Sequence, residues 1–278
     1  MFLKHLGLSI FASMLSLAAA AAPENASFAG DSFERARKAL EMPLAAIQAG
    51  PSDVGAYRCA YEGPVIQYNG ATTLQLVNCL MEAPKDASRL VITSAGGEVN
   101  HAIFAAYVVK VRELDVEVVG MCASSCSNYI LPSAKRAYLD KFSAILVHGG
   151  GTPPDREEMA ASIRRAGYTE DSPAFEQIVS DNLKRSELTY RLHKNFVRDF
   201  NIGERLYDLE DIWSARRAMG QQNTSGMIRV DPASLQECLP DVEIIAEAPN
   251  LEGLQKLLPK YNLGSFADVR GAGSSCSG

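Results

Sequence analysis

After its first 22 residues, this 278-residue chain has no apolar run long enough to cross a bilayer. It has no internal repeat, and no low-complexity block other than the alanines Ala18 to Ala22. A Walker-type phosphate loop is also missing, so the chain does not itself use ATP. Basic residues form no stripe and are in the minority, 27 Lys and Arg against 33 Asp and Glu for a net charge of −6, which leaves no electrostatic footprint for nucleic acid. None of the six cysteines stands at zinc-site spacing with a nearby histidine, so neither a metal nor a cofactor is expected.

What is present begins with a three-part leader. Lys4 supplies a positive charge, an uncharged apolar run extends from Leu6 to about Ala19, and overlapping A-x-A sites follow. This is the layout of a secretory signal peptide. Cleavage is expected after Ala20 or Ala21, since a cut after Ala22 would set Pro23 directly behind it. The chain is therefore expected to be exported, periplasmic or secreted. Membrane association is expected only if the leader is kept. Cys59, Cys79, Cys122, Cys126, Cys238 and Cys276 all lie in the mature part, an even number compatible with disulfides in an exported chain. Their connectivity is not readable from the sequence.

The mature chain reads as a lead-in with a helix over 22–55, an α/β domain over 56–230 and a C-terminal extension with a mobile tail over 231–278, behind a leader at 1–21. A helix is expected from Ser32 to about Gln48. Strands are expected at Gly63–Gln67, Arg89–Thr93, Val116–Gly120, Arg136–Asp140 and Ala144–His148. Helices fall between them, one capped by Thr72 or Thr73 and running to Ala83, the other over Glu98–Leu114 with Ile103, Tyr107, Val108 and Val111 on one face. Strands alternating with helices of this length imply βαβ units and a largely parallel sheet. A long charged helix is expected over 171–200, a short one over Ser214–Met219, and a helix–turn mixture after Val230.

Three features suggest chemistry. Ser124 stands where a strand ends and a helix begins, a place that supplies free backbone N–H groups and a favourable dipole for an oxyanion. Gly96-Gly97 ends the preceding strand, and parallel sheets set their sites at the C-terminal ends of neighbouring strands. His148 ends an apolar strand and precedes a glycine loop. A serine hydroxyl needs an adjacent base to act as a nucleophile, and His148 is the candidate. Ser125 is the alternative nucleophile. Cys122 and Cys126 bracket Ser124. They read as two small buried residues packing a tight turn, with a bridge between them as the alternative. His193 reads as a surface position on the long helix and His101 as a plain helix position.

From about Arg89 to Gly150 the chain resembles the proteolytic subunit of the Clp protease and its exported relatives, within the wider Clp-protease/crotonase superfamily. VITSAGGEV is similar to the family's strand ending in an S-x-G-G oxyanion loop, GMCASSC to its G-x-x-A-S nucleophile turn, and ILVHGG to the segment bearing its histidine. Downstream, IWSARRAMG resembles the family's F-L-S-A-x-x-A-x-x-x-G segment. The resemblance implies an α/β fold of repeated β-β-α units with a mostly parallel sheet and a helical C-terminal part. It implies acyl transfer by Ser124 and His148, with the N–H groups of Gly97 and Ser125 as oxyanion hole. The third triad member would be Glu210, with Asp208 and Asp211 as competitors. The implied activity is that of an ATP-independent serine peptidase acting on a peptide or protein. A catalytically degenerate fold serving as a binding or assembly protein is the alternative. The 171–200 helix is a candidate contact between copies.

Overall fold

The computed structural model describes residues 31–49, 56–207, 227–261, 263 and 276. The leader, Glu210, Asp208, Asp211, the Ser214–Met219 helix and the tail apart from Cys276 lie outside the described residues. The protein is an α/β structure. Among the described residues, eight strands form one sheet in which most pairings are parallel. A helix, α1 (Ser32–Ala49), precedes a hairpin of β1 (Arg58–Glu62) and β2 (Val65–Asn69). Gly63, at φ +56°, and Pro64 make its two-residue turn, which needs glycine at its first position. The sheet then grows through α2 (Leu74–Glu82), β3 (Arg89–Ser94), α3 (Val99–Val111) and β4 (Asp115–Ala123). A π-helical turn (Cys126–Ile130) leads to β5 (Arg136–Leu139) and β6 (Ala144–Val147).

β4 is buried at all nine positions. A strand covered on both faces reads as a continuous apolar run rather than an alternation, and VVGMCA (Val118–Ala123) is such a run, while the buried acids before it are ion-paired, Asp115 with Arg136 and Glu117 with Arg35 and Arg89. α2 and α3 cover one face, around Leu76, Leu80, Ile92, Val109 and Val116. On the other, Leu40 of α1 meets Met121, Ala144 and Leu146. The buried stripe of α3 differs from the expected one. Ala102, Ile103, Ala105, Ala106 and Val109 face inward, while Val111 is 81% exposed. α3 is apolar nearly all round, so side-chain size alone misjudged its face. The alanines are what allow the helix to sit closely on its neighbours.

One irregularity shapes the site. β4 pairs with β5 through Val116–Val118, then with β6 through Met121–Ala123. Between these stretches the β3–β4 register shifts, and Gly120 takes φ +74° with Leu40 packed against it. A Cβ on Gly120 would lie 2.8 Å from Leu40 Cγ, so only glycine fits there. The kink lets one strand serve two neighbours in succession and carries its C-terminal end to β6.

Three strands were not expected, one of them the two-residue β7 (Ile228–Arg229). β1 is largely exposed on both faces and so shows no hydrophobic alternation. β8 (Glu243–Ala246) pairs in parallel with β5, within the stretch read as helix and turn. Four residues are too short a run to stand out as a strand. The rest comprises α4 (Arg156–Arg165), α5 (Phe175–Asp199), α6 (Pro232–Cys238) and α7 (Leu251–Leu257). The cysteines pair as Cys59–Cys79, Cys122–Cys126 and Cys238–Cys276. Cys122 and Cys126 are thus bridged, not merely packed. Their Cα atoms stand 5.3 Å apart, because the turn between them brings residues i and i+4 together.

His193 is not on the surface. It is 3% exposed, edge-on to Tyr207 and Tyr129, with its Nδ1 3.2 Å from the Tyr129 hydroxyl. Charged neighbours on α5 suggested exposure, but α5 packs this turn of its length onto the core. Burial, with Lys194 adding to it, pulls the His193 pKa from near 6.5 down to about 4. The unfolded chain therefore binds a proton in a range where the folded one does not. This cost is absent above pH 6.5 and accumulates as pH falls from there to about 4, reaching about 3 kcal/mol at most. Unfolding midpoints should drop over that window, and a His193→Phe variant should show a flatter slope. Parallel slopes for the two proteins would contradict the assignment.

Candidate functional site

The site is built where β4 and β6 end side by side. Ala123 pairs with Leu146, and the Ser124 N–H donates to the Leu146 carbonyl at 2.9 Å. That register sets the relation between Ser124 and His148, two residues beyond Leu146. Ser124 then takes φ +54°, a left-handed conformation that a non-glycine residue adopts at a cost of roughly 1–3 kcal/mol. Its surroundings hold it there. The Asn128 N–H donates to the Ser124 carbonyl at 2.9 Å. Ser127 Oγ lies 2.8 Å from that carbonyl and 2.7 Å from the Leu146 carbonyl, its single proton serving one of them at a time. The Cys122–Cys126 bridge encloses the whole turn and is fully buried.

His148 Nε2 stands 2.6 Å from Ser124 Oγ. For the serine to donate in this bond, the ring proton must sit on Nδ1, leaving Nε2 as acceptor. The loop that bears His148 is tied to the nucleophile turn from behind. Asn128 Nδ2 donates to the Gly149 carbonyl at 2.8 Å, the Gly150 N–H to the Tyr207 carbonyl at 3.1 Å, and the Tyr207 hydroxyl to the Asn128 carbonyl at 2.7 Å. His193 packs beneath. A Cβ on Gly150 would come within 2.6 Å of Tyr207 Cβ and 2.9 Å of His193 Cε1, which accounts for glycine there. Ser124 is half-buried and His148 exposed, so the pair opens to solvent.

The Gly-Gly turn closes over the serine. Gly96 adopts φ +95°, and a Cβ there would lie 2.6 Å from Ser124 Cβ and 3.1 Å from its Oγ. Thr72 pins this turn. Its N–H donates to the Gly96 carbonyl at 3.0 Å and its carbonyl accepts from Glu98 N–H at 3.1 Å. The Gly97 N–H makes no hydrogen bond among the described residues. The Ser125 N–H stands at the start of the helical turn, where such groups have no intrahelical acceptor. Thr72 Oγ1 also meets Ser125 Oγ at 2.6 Å. Ser125 Oγ is therefore buried and engaged, and Ser124 presents the hydroxyl at His148.

The structure thus brings Ser124, His148, Gly97 and Ser125 together; Glu210 falls outside the described residues. Thr72, Asn128 and Tyr207 were not expected at the site. Thr72 read as a helix cap, and nothing in the sequence marks the other two. His101 lies beside Glu98 with its side chain 40% exposed. Among the described residues, no group of three or more His, Cys, Asp or Glu is arranged to hold a metal.

No protein-family model matches the sequence, and no curated protein is significantly similar to it. Solved structures with a related arrangement include an enoyl-CoA hydratase from Mycobacterium avium subsp. paratuberculosis K-10, 11% identical, with a TM-score of 0.30 over 53% of this chain and 85% of that one. Another is an enoyl-CoA hydratase from Bacillus anthracis, also 11% identical, with a TM-score of 0.28 over 61% of this chain and 86% of that one. A third, from Bacillus halodurans, is 8% identical, with a TM-score of 0.27 over 55% and 89% of the two chains. Likeness at this level carries no weight for activity.

Proposed function

We propose that this protein is an exported, ATP-independent serine hydrolase, a peptidase of the Clp-protease/crotonase type, that works by acyl transfer. The observation that carries the reading is the 2.6 Å contact between Ser124 Oγ and His148 Nε2, made by a serine held at positive φ. In the first step His148 Nε2 takes the Ser124 proton while Oγ bonds to the substrate carbonyl carbon. The resulting oxyanion lies between the N–H groups of Gly97 and Ser125. His148 then returns the proton to the leaving amine as the C–N bond breaks. Water, deprotonated by the same ring, releases the acyl group and restores Ser124. Glu210, Asp208 or Asp211 would orient the imidazole and stabilise its charged form. Three disulfides and the leader-like first 22 residues support export to an oxidising compartment.

A fluorophosphonate probe tests this directly. The mature protein should label, Ser124→Ala should abolish labelling, and His148→Ala should slow it by about 10²–10⁴-fold. Labelling that survives Ser124→Ala would sink the reading. Undiminished biological function in both variants would favour a binding or assembly role instead.

The bridge around the nucleophile generates a second test. Cys122 and Cys126 enclose a turn whose central residue is in a costly conformation, so a Cys122→Ser/Cys126→Ser double variant should let Ser124 relax. We expect a folded protein in which labelling slows by about tenfold or more, roughly the 1.4 kcal/mol equivalent of a partial loss of the held geometry. Near-ultraviolet circular dichroism would verify the fold. An unchanged labelling rate in a folded double variant would show that the bridge does not position the serine.

A further inference from the structure

A cleft of about 450 Å³ opens against the loop that follows His148, its lining beginning at Gly150. Its near wall is the segment Gly150–Pro154, and its other walls are faces of α4 and α5 that include Glu158, Arg185 and Thr189. The cleft adjoins the site on two sides. Gly150 is two residues from His148, about 7 Å of chain at most. Thr189 Oγ1 donates to Asn100 Oδ1 at 3.1 Å, and Asn100 stands on the first turn of α3, just after the Gly96-Gly97 turn. The space therefore runs between the loop that delivers the base and the helix that follows the oxyanion turn.

Its near wall has an unusual backbone. Pro153 and Pro154 fix their own φ, and each restricts the residue before it to extended conformations, so Thr152 and Pro153 are held extended by sequence alone. Among the described residues, neither Gly151 nor Thr152 makes a backbone hydrogen bond. An extended segment with unpaired N–H and C=O groups along a cleft is the edge on which an extended peptide adds as a strand. The far walls carry charge of both signs. Asp155 caps α4 by accepting the Glu158 N–H at 2.7 Å. Arg185 on α5 makes no ion pair among the described residues, with these acids or any other. A guanidinium set in a polar cleft suits a carboxylate, which it can hold through two parallel hydrogen bonds.

We propose that this cleft is the substrate-binding groove, that it takes an extended polypeptide along Gly151 and Thr152, and that Arg185 receives a carboxylate of that chain. The carboxylate belongs to an acidic side chain or to the peptide's own C-terminus. The inference rests on the Ser124–His148 reading for what is done to the bound chain, but not for the binding itself.

Binding can therefore be measured without turnover. Fluorescein-labelled decapeptides would be titrated against the mature Ser124→Ala protein by anisotropy, with and without Arg185→Glu. Three peptides serve: one with acidic side chains and an amidated C-terminus, one neutral with a free C-terminus, and one neutral and amidated. Arg185→Glu should weaken a carboxylate-bearing peptide about tenfold and leave the neutral amidated one within twofold. Which of the first two responds identifies the carboxylate's source. A Thr152→Pro variant, which removes one backbone donor from an already extended position, should weaken all three alike. Equal binding of every peptide with and without Arg185→Glu, or no binding of any, would overturn the groove. Fluorophosphonate labelling of the wild-type protein reports on the Ser–His pair separately. Labelling without peptide binding rejects the groove alone, and peptide binding without labelling rejects the proposed chemistry alone.

Discussion

The pairing of the last residues of β4 with β6 is the contact on which the candidate site depends. Ala123 opposite Leu146, and the Ser124 N–H on the Leu146 carbonyl, convert two chain segments 24 residues apart into one rigid unit. A slip of one residue in that register would turn every side chain of β6 to the opposite face, carrying His148 away from the serine. The sheet prevents the slip through its two cores. Cys122, Ile145 and Val147 belong to one apolar cluster, and Met121, Ala123, Ala144 and Leu146 to the other. Exchanging the faces would have to repack both at once.

That pairing exists only because β4 breaks its regularity beforehand. With its first half committed to β3 and β5, the strand reaches β6 by the kink at Gly120, where Leu40 of α1 fills the space a side chain would need. The lead-in helix is thus part of the machinery that aims the site. The strain at Ser124 is held in a similarly distributed way. Two backbone hydrogen bonds, one serine hydroxyl and a buried disulfide surround a residue whose own preference is to leave positive φ. A conformation costing a few kcal/mol persists when its neighbours over-determine it, and functional turns are where such conformations concentrate.

What the sequence displayed and what it concealed follow one physical division. Strands β4 and β6 were visible because burial on both faces writes an apolar run into the chain, and the turns at Gly96 and Gly149 were visible because positive φ demands glycine. Ser124 and His148 could be named because they stand at the ends of those strands. The features that stayed hidden each depend on tertiary contact. β8 acquires its identity only by lying against β5. His193 is polar, flanked by Lys194, and buried only because the Gly150–Gly151 loop and two tyrosines close over it. Even the Cys122–Cys126 bridge turned on the conformation of the three residues between them, which no spacing rule specifies.

Thr72, Asn128 and Tyr207 show the same division at the site itself. Each is a residue of ordinary type, and each acts through one or two hydrogen bonds that join segments remote in sequence: Thr72 to Gly96 and Ser125, Asn128 to Ser124 and Gly149, Tyr207 to Asn128 and Gly150. Together they link the oxyanion turn, the nucleophile turn and the histidine loop into a closed circuit around Ser124 Oγ. Such a circuit gains rigidity cooperatively, since each bond is made between groups the others have already ordered. It also explains why the glycines on the histidine loop are so closely packed. A side chain at Gly150 would collide with Tyr207 and His193 and push the loop outward, opening the circuit at the point where His148 must stay within hydrogen-bond reach of the serine.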